Sequence, residues 1–271
     1  MKKILTILAI ILSTTAIAQS DSSAHFIIAA TYNSAMNYYG RVDSLRSKGF
    51  YPSLGFTMKN GLYATSTFVF IRNSMVNEYA ATLIEGGYNF SNRNNTWAGS
   101  LSASKYFYKA DVSLVQSAVK ELVSGSLTHL NKVVNITISA NVKFSGYTDI
   151  GVQAGLDHII RFGNVLGGVI VLDPGVNAFG GTQNFTKTAY QQKNFLLFPV
   201  AEEQVTTSTR KFNLLSYELN MPVVYAYKKL NLILTPAYVL PQNLITVTGQ
   251  PALSERGANL FYVTATAKLT L

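Results

Sequence analysis

Cysteine is absent from the 271 residues. That excludes disulfides, thiol nucleophiles and Cys-ligated metal centres. An exported chain without disulfides must be held together by its own core or by a membrane. Charge is also scarce, at 13% of residues, and there is a single Trp. Long hydrophobic runs are missing after the N-terminus. Val165–Leu172 is among the longest charge-free apolar runs, far below the ~20 residues a spanning helix needs. No Pro/Gly/Ser-rich linker and no 20–50-residue repeat divides the chain, so one large domain is expected.

The abundant features point one way. The chain opens MKKILTILAIILSTTAIAQS. Lys2 and Lys3, the apolar run Ile4–Leu12 and the small-residue triplet Ala16-Ile17-Ala18 read as a secretory signal peptide over 1–18. Gln19 then starts a single mature domain over 19–271. Without Lys2 and Lys3 the mature part has 20 basic and 13 acidic residues, a net +7. In an exported chain that excess fits an anionic surface or solute, and nucleic acid is not expected as a partner.

Aromatics are plentiful, with 16 Tyr and 15 Phe, and alternation is pervasive. In VVNITISANVKF the even positions Val134, Ile136, Ile138, Ala140, Val142 and Phe144 are apolar. The odd positions are Asn135, Thr137, Ser139, Asn141 and Lys143 after Val133. Ile150–Leu156 and Phe261–Leu271 repeat the pattern. These runs exceed the usual soluble strand and match the ~9–11 tilted residues that cross a bilayer. Small neutral polar residues on one face suit a crowded wet interior, with the apolar face turned to lipid. Asn60-Gly61 reads as a two-residue hairpin turn. That register pairs Lys59 with Leu62 and Met58 with Tyr63. It turns Tyr63, Val69 and Ile71 to lipid, and leaves Phe68 and Phe70 as misfits on the polar face.

Twelve strands are expected, near 24–36, 50–59, 62–72, 78–90, 96–108, 117–130, 133–144, 149–160, 164–178, 211–227, 230–240 and 258–271. An even count puts both ends of the strand array on one side. Short turns (60–61, 91–95, 131–132, 228–229) fall on that side, and the long links 37–49, 179–210 and 241–257 on the other. Ten strands are an alternative, because 114–123 and 164–178 alternate poorly. Ser113–Val123 reads either as a short helix with a capping box or as an impure strand. The fold class is therefore all-β: a closed, antiparallel, up-and-down transmembrane β-barrel. A soluble β-sandwich is the competing fold.

The C-terminal VTATAKLTL, ending on Leu269 and Leu271, resembles the closing strand of bacterial outer-membrane β-barrel proteins. Thr266 stands where such strands often carry Gly, and the last residue is Leu rather than Phe. With YYGR, FYPSLGF and GGTQNF, the chain looks like an outer-membrane barrel of Bacteroidota-type bacteria. The resemblance implies location in the cell outer membrane, assembly by the barrel-insertion machinery, and contact with outer-membrane lipid and lipopolysaccharide. It implies no particular activity.

Catalytic signals are weak. The outer-membrane phospholipase motif His-x-Ser-Asn-Gly is not matched at His25, His129 or His158, and no Ser is placed for a His to activate. Asp149 and Asp157 share a strand face but lie about 26 Å apart at strand rise, too far to share an ion. LDPG at 172–175 reads as a bend near a strand end. Gly167-Gly168 and Gly180-Gly181 read as turns or bulges, not phosphate loops. No cofactor is expected. The charges Lys59, Glu85, Lys143, Asp157, Glu218 and Lys268 fall on polar faces and are the lumen candidates. They either line a solute path or pair and plug it. At the long-loop end, Arg41, Lys105, Lys109, Arg210 and Lys211 are candidates for lipopolysaccharide phosphate. Lys105 shares the lipid face of Trp97, Leu101 and Phe107. Only Gln19–Ser23 precede the first strand, which argues against a plug domain and energy-coupled import. Three functions stay open: a small passive channel or surface structural barrel, a recognition barrel acting through its long links, and a lipid-active enzyme.

Overall fold

A computed structural model describes residues 24–43, 45–110, 119–182, 212–244 and 257–271. The elements, in chain order, are β1(Ala24–Asn33), β2(Asn37–Tyr38), β3(Arg41–Val42), β4(Lys48–Met58), β5(Leu62–Arg72), β6(Asn77–Ser91), β7(Trp97–Tyr108), β8(Glu121–His129) and β9(Asn135–Phe144). They continue with β10(Thr148–Asp157), β11(Ile160–Val165), β12(Gly168–Leu172), β13(Gly175–Gly181), β14(Asn213–Asn220), β15(Val223–Tyr227), β16(Leu230–Pro241) and β17(Leu260–Thr270).

Twelve of these form a closed wall: β1, β4 to β10, β13, β14, β16 and β17, each antiparallel to the next. Closure is direct. Ile27 pairs with Thr270 and Asn33 with Thr264 across β1 and β17, and Phe26 and Leu271 exchange backbone hydrogen bonds of 3.2 and 2.8 Å. The expected all-β barrel of twelve strands is what forms.

Three wall strands run on past interruptions. β11, β12 and β15 extend β10, β13 and β14 in unchanged register. Pro174 and Pro222 stand in the gaps, where a residue without an N–H interrupts a ladder without ending the strand. His158 N to Pro174 O (3.1 Å) and Asp173 N to Pro222 O (2.9 Å) carry the ladder across. The turn between β11 and β12 is therefore Leu166-Gly167, both at positive φ (49° and 78°). The strand expected at 164–178 runs instead over 168–181. Its hairpin projects at the end where the short turns lie, here the turn end.

The outside of the wall is apolar. Ile138, Leu101 and Phe261 are 62%, 59% and 63% exposed, and alternate positions along every wall strand join them. Water would penalise such a belt by about 25 cal/mol per Å². A hydrocarbon surround removes that cost.

One register differs from the sequence reading. The β4–β5 connection holds three residues, Lys59 to Gly61, with Gly61 at φ 92°. Thr57 pairs with Tyr63 and Phe56 with Ala64. A one-residue slip moves every side chain to the other face. Tyr63, Val69 and Ile71 thus face the lumen, while Phe68 and Phe70 face outward. A Cβ on Gly61 would stand 2.0 Å from Asn89 O, so only Gly allows this turn to sit against β6.

Candidate functional site: the barrel lumen and its constriction

The inner face is built from Ser, Thr, Asn and Gln that bond one another across strands. Ser100 meets Ser126 and Ser102 meets Ser124, both at 2.8 Å. Thr128 meets Thr137 and Thr31 meets Thr266 at 2.9 Å. Gln153 accepts from Ser139 (3.3 Å) and donates to Asn177 (2.9 Å). These side chains are half-buried, as expected for a hydrated passage rather than a packed core.

Carboxylates are set into this polar wall. Glu85 on β6 accepts from Tyr63 Oη at 2.9 Å and Ser104 Oγ at 2.8 Å. Glu218 on β14 accepts from Tyr262 Oη at 2.9 Å and Asn220 Nδ2 at 3.4 Å. β6 and β14 are six places apart in the ring of twelve, so the two glutamates stand on opposite walls. Toward the turn end, Asp157 accepts from Asn135 Nδ2 at 2.6 Å. Asp173, in the gap between β12 and β13, lies beside it. Burial first, then the Asp157 carboxylate, push the Asp173 carboxyl up to about 6, against the lowering effect of His158. Hydroxyl and amide donors hold Glu85, Glu218 and Asp157 without cancelling their charge.

The loop end is narrowed by the chain itself. β2 and β3 form a small hairpin whose turn, Tyr39-Gly40, has φ of 53° and 78°. Asn37 Oδ1 accepts from Gly40 N at 3.1 Å. The hairpin lies inside the barrel. Tyr38 is buried and packs with Val119, Tyr39 and Tyr106, and a Cβ on Gly40 would stand 3.0 Å from Pro241. Arg41 holds it there. Its Nη1 donates to Leu215 O (3.0 Å) and Tyr39 O (3.1 Å), and its Nη2 to Gln242 O (2.9 Å). Beneath lie Leu215 and Val239, both fully buried. Burial raises the Tyr38 hydroxyl well above the usual tyrosine range, with Tyr39 and Asp149 adding to it and Arg41 opposing. Lys143 Nζ sits 5.3 Å from the Tyr38 ring centroid and 5.6 Å from that of Tyr39.

The residues singled out from sequence are distributed as follows. Glu85, Lys143, Asp157, Glu218 and Lys268 occupy inward positions on the wall. Lys268 lies opposite Ala29 and Asn231. Lys59 is exposed in the β4–β5 turn, outside the wall. Arg41 is only 2% exposed and spends its guanidinium on carbonyls inside the barrel, so it is no phosphate contact. Lys105 does face outward, 2.9 Å from Glu121, and Lys109 pairs with Glu78 at the rim. Arg210 and Lys211 lie outside the described residues, as do most of Ser113–Val123 and of the links 179–210 and 241–257. Tyr63, expected toward lipid, and Asp173, expected only as part of a bend, are lumen groups as well; Asp149 and Tyr262 lie on the polar faces expected for them. Among the described residues, no cluster of three or more His, Asp or Glu could hold a metal ion. His129 is stacked on Trp97 at 4.7 Å, and its Nδ1 lies 3.1 Å from Thr96 O.

No family model and no curated protein matches the chain. Solved structures do resemble it. An outer-membrane channel from Pseudomonas putida F1 aligns with a TM-score of 0.52 at 10% identity, over 93% of this chain and 97% of that one. The KdgM porin aligns at 0.49 and 8% identity, over 90% and 98%. The NanC porin aligns at 0.47 and 11% identity, over 91% and 100%. The first likeness supports the fold alone, and the other two are too distant to carry an inference.

Proposed function

We propose that this chain is an outer-membrane β-barrel acting as a passive channel for small polar solutes, favouring cations over anions. The observation that carries the reading is the charge of the lumen between the constriction and the turn end. Glu85, Glu218, Asp157 and Asp173 face it, against Lys268. Glu85, Glu218 and Asp157 are held by neutral donors, so their field stays available to a passing ion. Among the described residues, the wall ion pairs Lys105–Glu121 and Lys109–Glu78 do not involve these four carboxylates. The basic residues at the turn end, Lys59, Arg93, Lys132, Arg161, Lys228 and Lys229, are exposed and screened beyond about 8–10 Å in salt.

The turn end faces the periplasm in this reading and the loop end faces outward, with the belt of Ile138, Leu101 and Phe261 in hydrocarbon. The inward β2–β3 hairpin takes link 37–49 away from any external partner, which favours a channel over recognition through that loop. Contact with lipopolysaccharide phosphate rests on Lys105 and Lys109, which would have to exchange Glu121 and Glu78 for phosphate.

Purified barrel added to planar bilayers should produce discrete conductance steps. A protein that folds, shifts its gel mobility on boiling and inserts, yet never conducts, would overturn the channel reading in favour of a structural barrel.

A further inference from the structure

The lumen carboxylates do not account for the arrangement around Lys143. Lys143 on β9 and Asp149 on β10 are direct register partners, both buried. The Tyr38 and Tyr39 rings lie 4.4 Å apart at 59°, which makes a corner, and the Lys143 ammonium faces both rings. Phe179 stands behind Tyr39 at 5.0 Å. Thr182 Oγ1 donates to Asp149 Oδ1 at 2.6 Å, fixing the carboxylate. Arg41 is committed to the carbonyls of Tyr39, Leu215 and Gln242.

Two ring faces set at an angle, with a buried carboxylate beside them, are the chemistry that receives an ammonium or quaternary ammonium group. A lysine already fills the position. Because it is tethered, it competes at a high effective concentration with any free cation. We propose that the corner formed by Tyr38, Tyr39 and Asp149 is a binding site for organic cations whose resident is the chain's own Lys143. An alkylammonium solute then passes the constriction by displacing that side chain. The delivery of solute to the site rests on the channel reading. The site itself rests on the ring geometry and the Lys143–Asp149 pairing.

Replacing Lys143 by Met keeps the stem and removes the charge, leaving Asp149 and the two rings to attract a soluble substitute. Thermal unfolding in neutral detergent, with tetramethylammonium chloride against sodium chloride at equal ionic strength, reads this without any conductance. Lys143→Met should be stabilised by tetramethylammonium at a concentration at least tenfold below that needed by the unaltered protein. Adding Tyr39→Ala to it should abolish the gain. Lys143→Gln serves as a second variant, with mobility on unboiled gels confirming closure. Equal responses with and without Lys143 would overturn the site, and so would a response that survives Tyr39→Ala. A barrel that conducts nothing but shows the expected response would sink the channel reading and leave the site standing.

Discussion

Arg41→Ala should release the hairpin and widen the passage without opening the wall. The guanidinium joins β3 to two distant segments, through Leu215 O and Gln242 O. A hydrogen bond to a charged group contributes about 1.5–3 kcal/mol, so losing the two long-range bonds costs the inward state about 3 kcal/mol or more. At 1.4 kcal/mol per tenfold, that shifts the in/out equilibrium of the hairpin by more than a hundredfold. The wall is unaffected, because β1–β17 closure and the β1–β4 ladder do not involve Arg41. Single-channel recording should show a larger and noisier conductance, and chymotrypsin should cut at Tyr38, which is buried in the native hairpin. Arg41→Lys should give only partial retention, since an ammonium lacks the fork that reaches two carbonyls on different segments. Unchanged conductance together with unchanged protease resistance in Arg41→Ala would refute the pin.

Ile138→Arg should impair insertion far more than Ser139→Arg. The first places Arg on the outer face near the middle of β9, where it costs about 2–4 kcal/mol; the second points it into water, and equal yields in a lipid refolding assay would refute the facing. Cation preference should weaken as pH falls through about 6, because Asp173 takes up a proton there and loses its charge. Asp173→Asn should flatten that pH profile, and a profile unchanged by the substitution would exclude Asp173 as its source. Lipopolysaccharide should raise the melting temperature of detergent-solubilised protein, less so in Lys105→Gln and in high salt; a gain indifferent to both would exclude the phosphate contact. Because the chain has no cysteine, single Cys substitutions can be labelled cleanly. A polar maleimide should reach Tyr63→Cys and miss Ala64→Cys, and the reverse pattern would restore the two-residue turn.

The barrel was legible because strand period 2 and a two-sided environment are both written locally. In VVNITISANVKF every second side chain must meet hydrocarbon, and the residues say so without help. The β4–β5 turn was misread because Asn60-Gly61 serves a three-residue loop as readily as a two-residue one. The misfits Phe68 and Phe70 were the signal that the register had slipped. Asp173-Pro174 suggested a strand end, yet a single Pro only interrupts a ladder that both neighbours continue. The turn at Leu166-Gly167 was hidden because its first residue is a Leu at positive φ, which turn preference disfavours. The constriction was the least legible part. YYGR carries the turn residues of the hairpin, but whether it points out or in depends on Leu215 and Gln242, 174 and 201 positions from Arg41. The partners of Glu85 and Glu218 were hidden for the same reason, since Tyr63 was assigned to lipid and Tyr262 lies 44 residues beyond Glu218.

The most direct test is the zero-current potential of the channel across a tenfold potassium chloride gradient, measured for the unaltered protein and for the double variant Glu85→Gln, Glu218→Gln. The account predicts a potential of the sign set by potassium permeation, collapsing toward zero or reversing in the variant. A chloride-signed potential in the unaltered protein, or one indifferent to both glutamates, would contradict it.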